Sequence, residues 1–209
     1  GAGFVLATHD LEIRGAGELL GDEQSGQIET IGFSLYMDML DQAVTALREG
    51  REPSLDALVR QHTEIELRIP AILPEDYIRD VNTRLSLYKR IAGAANSHEL
   101  DALQVELIDR FGLLPDATKN LFRVSELRVA AEPLGIRKIE LGPQGGYVEF
   151  NAQTPVEPAA IIKLLQSEPQ TYSMDGSTRL KIRANIEHTQ ERIKLVQSLF
   201  LALSPAQVN

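Results

Sequence analysis

Between Thr30 and Glu49 the apolar residues Ile31, Leu35, Met39, Leu40, Ala43, Val44 and Leu47 recur at spacings of three and four. That period predicts a long amphipathic helix, which Thr30 can cap and Gly50 can close in the left-handed conformation. Upstream, residues 4–13 also fit a helix, but Gly15 and Gly17 end that pattern, and the glycines of 15–27 read as an ordered loop. Downstream of a connector at Arg51 to Ser54 the period changes repeatedly. Glu64 to Ile69 alternates polar and apolar residues, a strand ended by Pro70. A helix is expected from Asp80 to Ala92 with Val81, Leu85, Tyr88 and Ile91 inward. A second runs from Ser97, its cap, to Phe111 with a stripe of Leu100, Leu103, Leu107 and Phe111, stopped by Gly112. Pro115 opens a third, to about Ala131. Lys138 to Leu141 and Tyr147 to Phe150 form a hairpin around Pro143-Gln144-Gly145-Gly146. A short helix follows Pro158. Thr171 to Met174 and Thr178 to Arg183 then pair around Asp175-Gly176. Asn185 caps a last helix to about Leu203, with Ile186, Ile193, Val196 and Leu199 or Phe200 inward. The class is α+β: an N-terminal loop and long helix, then a compact domain of about five helices with short antiparallel strands and hairpins.

Charge sharpens the division. Residues 1–57 hold eleven acids and three bases, whereas residues 58–209 hold nineteen acids and eighteen bases. Two units are therefore expected, 1–57 and 58–209. An acidic first unit and a near-neutral second argue against this chain gripping DNA unaided, since phosphate binding needs clustered Lys and Arg. Hydrophobic residues make up 43% of the chain, enough for a buried core, and no cysteine is present to form disulfides or thiolate metal sites. No apolar run approaches the ~20 residues that span a bilayer. No signal-peptide pattern opens the chain, so the expected compartment is the cytoplasm and no membrane partner is expected.

Catalytic constellations are missing from the sequence. Gly15-Ala16-Gly17 lacks the lysine and the spacing of a phosphate loop. His9, His62, His98 and His188 are dispersed, without metal-ligand spacing, so no metal site is expected. No nucleophile elbow supports a serine triad.

One stretch carries functional information. The run from His9 through Arg14-Gly15-Ala16-Gly17 and Gly21-Asp22-Glu23-Gln24-Ser25-Gly26 resembles the translocation motif shared by the RecG branch-migration helicase and the transcription-repair coupling factors. By that resemblance Arg14 and Gln24 couple ATP hydrolysis to translocation, and Gly15, Gly17, Gly21 and Gly26 form the motif loop. The chemistry is suitable. A guanidinium makes a fixed fork of hydrogen bonds, and a carboxamide both donates and accepts. On composition alone Arg14 pairs simply with Glu12 or Glu18; the length of the match favours the coupling role. Gln24 is open to a DNA contact or an internal one. A further match distinguishes the two families. Asp80-Val81-Asn82-Thr83-Arg84-Leu85, Tyr88-Lys89-Arg90-Ile91 and the run Val105 to Pro115 resemble the C-terminal domain of transcription-repair coupling factors, which RecG lacks.

The resemblance implies a C-terminal piece of an ATP-dependent translocase on double-stranded DNA that displaces stalled RNA polymerase and recruits UvrA for nucleotide excision repair. ATP and Mg would serve the full-length protein, and this piece alone would carry no cofactor and hydrolyse nothing. Its C-terminal domain would dock on a UvrB-like N-terminal module and mask the UvrA-binding surface. Glu99, Glu106 and Asp109, opposite the leucine stripe, are the candidate docking residues, weighed against an ordinary solvated face. Arg84, Lys89 and Arg90 form a second candidate face, for DNA, with solvation favoured. The long helix, without a motor lobe to lie on, makes self-association an option. The alternative function is a non-catalytic nucleic-acid-binding accessory module of a RecG-like helicase, which needs a basic surface.

Overall fold

The computed structural model describes residues 40, 41, 44, 45, 48–50 and 63–205. The glycine-rich motif, the connector expected at Arg51 to Ser54 and the boundary near 57 lie outside these residues. Among the described residues, five complete helices and a five-stranded, mostly antiparallel sheet make an α+β fold.

Each helix begins where a polar group can take its free N–H groups. Helix α1 (Val81–Ala92) starts at Asp80, whose carboxylate accepts the Thr83 N–H at 2.8 Å. Its buried face is Arg84, Leu87, Tyr88 and Ile91, while Val81 and Leu85 are only half-buried. The expected face was therefore rotated, because a fully buried arginine does not read as core. Helix α2 (Ser97–Phe111) is capped by Asn96, one residue before the expected Ser97, through Oδ1 and the Glu99 N–H at 2.9 Å. It stops at Gly112, whose φ of +93° suits glycine. Helix α3 (Asp116–Ala131) follows Pro115 and runs into a short 3₁₀ turn, Glu132–Leu134. Helix α4 is Pro158–Ser167.

The last helix, α5 (Thr189–Leu203), is capped by His188 and starts three residues later than Asn185 would place it. The intervening backbone is occupied. The Ala184 and Ile186 N–H groups bond Gln144 and Pro143 carbonyls at 3.3 and 2.8 Å, so residues 184–186 are held against the β2–β3 turn. The Glu191 carboxylate then accepts the His188 N–H at 3.4 Å at the new start.

Strands β1 (Glu64–Glu66), β2 (Ile136–Gly142), β3 (Gly145–Phe150), β4 (Tyr172–Asp175) and β5 (Arg179–Arg183) lie in the order β1-β2-β3-β5-β4. Both expected hairpins form, and β2 and β3 reach further toward their shared turn than expected, leaving Pro143 and Gln144 as the loop. A side chain on Gly146 would sit 1.8 Å from the Glu140 carbonyl, so only glycine fits there. One pairing departs from the antiparallel expectation: β1 runs parallel to β2, Ile65 opposite Ile139. The long chain between them, with three helices, permits that crossover.

Two apolar clusters fill the fold. Leu73, Ile78, Leu87, Tyr88, Ile91, Leu100, Leu103 and Leu107 pack the first, between α1, α2 and α3. Leu40 is fully buried in it, and Asp41 bonds Lys89 at 3.1 Å, so this part of the upstream helix rests on α1. One face of the sheet packs the second with α4 and α5. Helix α3 serves both, Leu121 and Phe122 in the first, Leu127 and Ala131 in the second.

Buried arginines tie the irregular segments down. Arg84 donates to the Ile78 and Arg79 carbonyls at 2.7 and 3.1 Å. Arg128 reaches the Ala94 carbonyl at 3.0 Å. Arg192 clamps four carbonyls: Leu67 and Ile186 at 2.8 Å, Glu187 at 2.9 Å and Arg68 at 3.1 Å. A guanidinium suits this work because its donors point in fixed directions.

Candidate functional site

Helix α2 carries all three expected docking acids and places them in three different situations. Glu99 lies in the first turn. Its carboxylate accepts the Ala95 N–H at 2.7 Å while its own N–H goes to Asn96, so it fixes the start of the helix. Glu106 turns toward α1 and is gripped by both terminal nitrogens of Arg90, at 2.6 and 2.8 Å, and by Arg110 at 3.2 Å. Those hydrogen bonds from Arg90, outweighing a desolvation effect and helped by Arg110, hold the Glu106 carboxyl down at about 2. Asp109 is exposed and makes no ion pair among the described residues.

Periodicity explains the split. At 100° per residue, Asp109 shares the outermost side of α2 with Asp101, Val105 and Ile108, whereas Glu106 faces the groove toward α1. That groove, of about 400 Å³, is lined by Arg90, Gly93, Glu99, Ala102, Leu103 and Glu106. Val105 is 59% exposed, Ile108 40%, and Leu113 just beyond the helix 86%. Scattered exposed apolar residues are normal, but Val105 and Ile108 lie together on one helix edge bordered by Asp101 and Asp109, with Leu113 just past the helix end. The end of this helix is held firmly. The Tyr77 hydroxyl donates to the Gly112 carbonyl at 2.8 Å, its ring meets Phe111 edge-on at 5.9 Å, and the Arg110 guanidinium lies 4.8 Å above Phe111.

Sequence reading missed the apolar strip, although Val105 and Ile108 fall visibly off the leucine stripe. It had no means to find the Arg90–Glu106 pair, which joins two helices sixteen residues apart. The second candidate face, for DNA, does not exist as such. Arg84 is fully buried, Lys89 is paired with Asp41 and Arg90 with Glu106. Arg14, Gln24, Gly15, Gly17, Gly21 and Gly26 lie outside the described residues. No helix among the described residues is long and apolar enough to cross a membrane.

A solved crystal structure of the C-terminal domain of a transcription-repair coupling factor has the same fold, with a TM-score of 0.59 and 23% identity over 68% of this chain and 91% of that one. The TRCF domain family matches residues 67–161, which hold α1, α2, α3 and the first hairpin. The chain is 59% identical to the transcription-repair-coupling factor of Haemophilus influenzae over 98% of its own length, and 58% identical to that of Escherichia coli over 97%. The Myxococcus xanthus protein of the same name is 38% identical over 88%. This chain belongs to the transcription-repair coupling factor family, and it spans 18% of the length of the first two of these relatives.

Proposed function

We propose that this chain is the regulatory C-terminal part of an ATP-dependent DNA translocase that displaces stalled RNA polymerase and recruits UvrA. In this reading residues 1–57 carry the coupling motif, with Arg14 and Gln24 relaying ATP hydrolysis to movement on duplex DNA. Residues 58–209 form the docking domain, whose contact with a UvrB-like module of the same protein masks the UvrA-binding surface. Family membership supports the translocase setting.

The outer edge of α2 is the observation that carries the docking role. Val105, Ile108 and Leu113 are exposed near Asp109, which has no ion pair among the described residues, at a helix end anchored by Tyr77. An apolar centre with an acidic rim suits a partner patch of apolar and basic residues. Glu106 contributes less directly, since its charge is already neutralised by Arg90 and Arg110. Reversing Glu106 would also set three cations together, so Asp109→Arg with Ile108→Glu is the cleaner probe. In the full-length protein that double variant should bind UvrA without RNA polymerase, at least tenfold more tightly than wild type. Wild-type UvrA affinity in a variant of unchanged melting temperature would remove the docking role from this edge.

A further inference from the structure

The face of the sheet turned away from the helices is charged, and most of its charges answer one another. Lys138 lies 3.9 Å from Glu64 and 3.6 Å from Glu140. Arg179 bonds Glu149 at 2.8 Å and stacks 4.0 Å above the Tyr147 ring. Glu140 also accepts from Tyr147 at 3.0 Å. Further along β5 the pattern breaks. Lys181 and Arg183 are exposed on the same face and have no ion pair among the described residues. They line a groove of about 1090 Å³ with Thr171, Ser173, Gln144 and Asn185, all polar side chains.

This groove adjoins a sheet edge that is open among the described residues. Strand β4 is terminal in the sheet. The Arg183 N–H bonds the Thr171 carbonyl at 2.7 Å, so by antiparallel alternation 171, 173 and 175 direct their backbone groups at β5 and 172 and 174 direct theirs outward. The Tyr172 N–H is taken by the Glu168 carbonyl at 3.0 Å. Among the described residues the Met174 N–H and C=O meet no partner strand and are open to a further one.

We propose that the β4 edge and its groove form a docking site for an acidic peptide segment in extended conformation, which adds to the sheet as a sixth strand with carboxylates held by Lys181 and Arg183. Backbone bonds at Met174 supply attachment, and the two bases select alternate acidic side chains, the usual division of labour in strand addition. The charge count favours a peptide over nucleic acid. Two cations match two carboxylates, and an extended peptide can place an uncharged residue beside Glu187 at the groove lip, whereas a continuous phosphate backbone would set a charge against it.

The test is NMR titration of the whole 209-residue chain, labelled with ¹⁵N, using a capped nonapeptide of alternating Glu and Val. Expected are shift changes confined to residues 171–175 and 181–185, with slowed exchange of the Met174 amide. Lys181→Gln with Arg183→Gln should weaken binding at least tenfold at unchanged melting temperature. A peptide N-methylated at alternate amides should lose binding to the unaltered protein, a readout independent of any variant. The proposal is overturned by an absence of shifts at millimolar peptide, or by equal binding of the N-methylated peptide or of the double variant. Tighter binding of a single-stranded oligonucleotide at the same residues overturns it too, as does pairing of two copies through β4 without peptide.

Discussion

Replacing Arg192 by Met should cost about 4 kcal/mol of folding stability. The side chain is 5% exposed and donates to four carbonyls. Two of those acceptors, on Leu67 and Ile186, are in buried bonds; the other two, on Arg68 and Glu187, are partly exposed. Methionine fills a similar length with apolar atoms, so the packing loss is small. Water can take over the partly exposed acceptors, but the buried pair stays unpaired, at ~1–3 kcal/mol each. The expected range is thus ~2–6 kcal/mol, a large share of the ~5–15 kcal/mol that holds a domain together. Urea denaturation followed by circular dichroism measures it, with the slope against denaturant checked for constancy. Arg192→Lys should recover only part of the loss, because one ammonium cannot address carbonyls on two separate segments. A loss below ~1 kcal/mol for the Met variant, or a Lys variant as stable as wild type, would refute the clamp reasoning.

Three further outcomes are expected. Because Arg90 holds Glu106 at about 2, the stabilisation from that pair is full above the ordinary carboxylate range near 4.5 and disappears as pH falls toward 2. The fall in stability across this window should be shallower in Glu106→Gln, by under ~1 kcal/mol since Glu106 is a third exposed and Arg90 nearly half. Burial pushes Glu64 up to about 7 against the pull of Lys138, so its neutral form favours folding below the ordinary range and that advantage is lost as pH rises through 7. Glu64→Gln should therefore melt higher than wild type at pH 8 and equally at pH 4; the same difference at both would contradict the assignment. In the full-length protein, Arg14→Ala or Gln24→Ala should leave ATP hydrolysis running while triplex displacement fails, and wild-type displacement by both would end their coupling role.

What the sequence disclosed follows from how far each interaction reaches. Leu100, Leu103 and Leu107 announce α2 because a helix writes its buried side into local spacing, and Asp175-Gly176 announces a hairpin because the turn chemistry is local. The parallel pairing of β1 with β2, Ile65 with Ile139, depends on segments far apart and leaves no local trace. Arg84 and Arg192 were illegible for another reason. Arginine reads as solvent-facing until three-dimensional placement supplies carbonyls to clamp. At the candidate site, spacing placed Glu99, Glu106 and Asp109 together on α2. It could not reveal that Asn96 and Ala95 occupy Glu99 and that Arg90 occupies Glu106.

Helix α3 belongs to both apolar clusters, and from Phe122 to Leu127 is only ~8 Å along its axis. Neither half can lose its packing without stripping one side of that helix. The outer edge of α2 and the β4 groove at the far end of the sheet therefore sit on a single cooperative unit, which should melt in one transition with equal calorimetric and van't Hoff enthalpies. Occupation of either surface then raises the melting point of the other, and a truncation that removes α5 abolishes both.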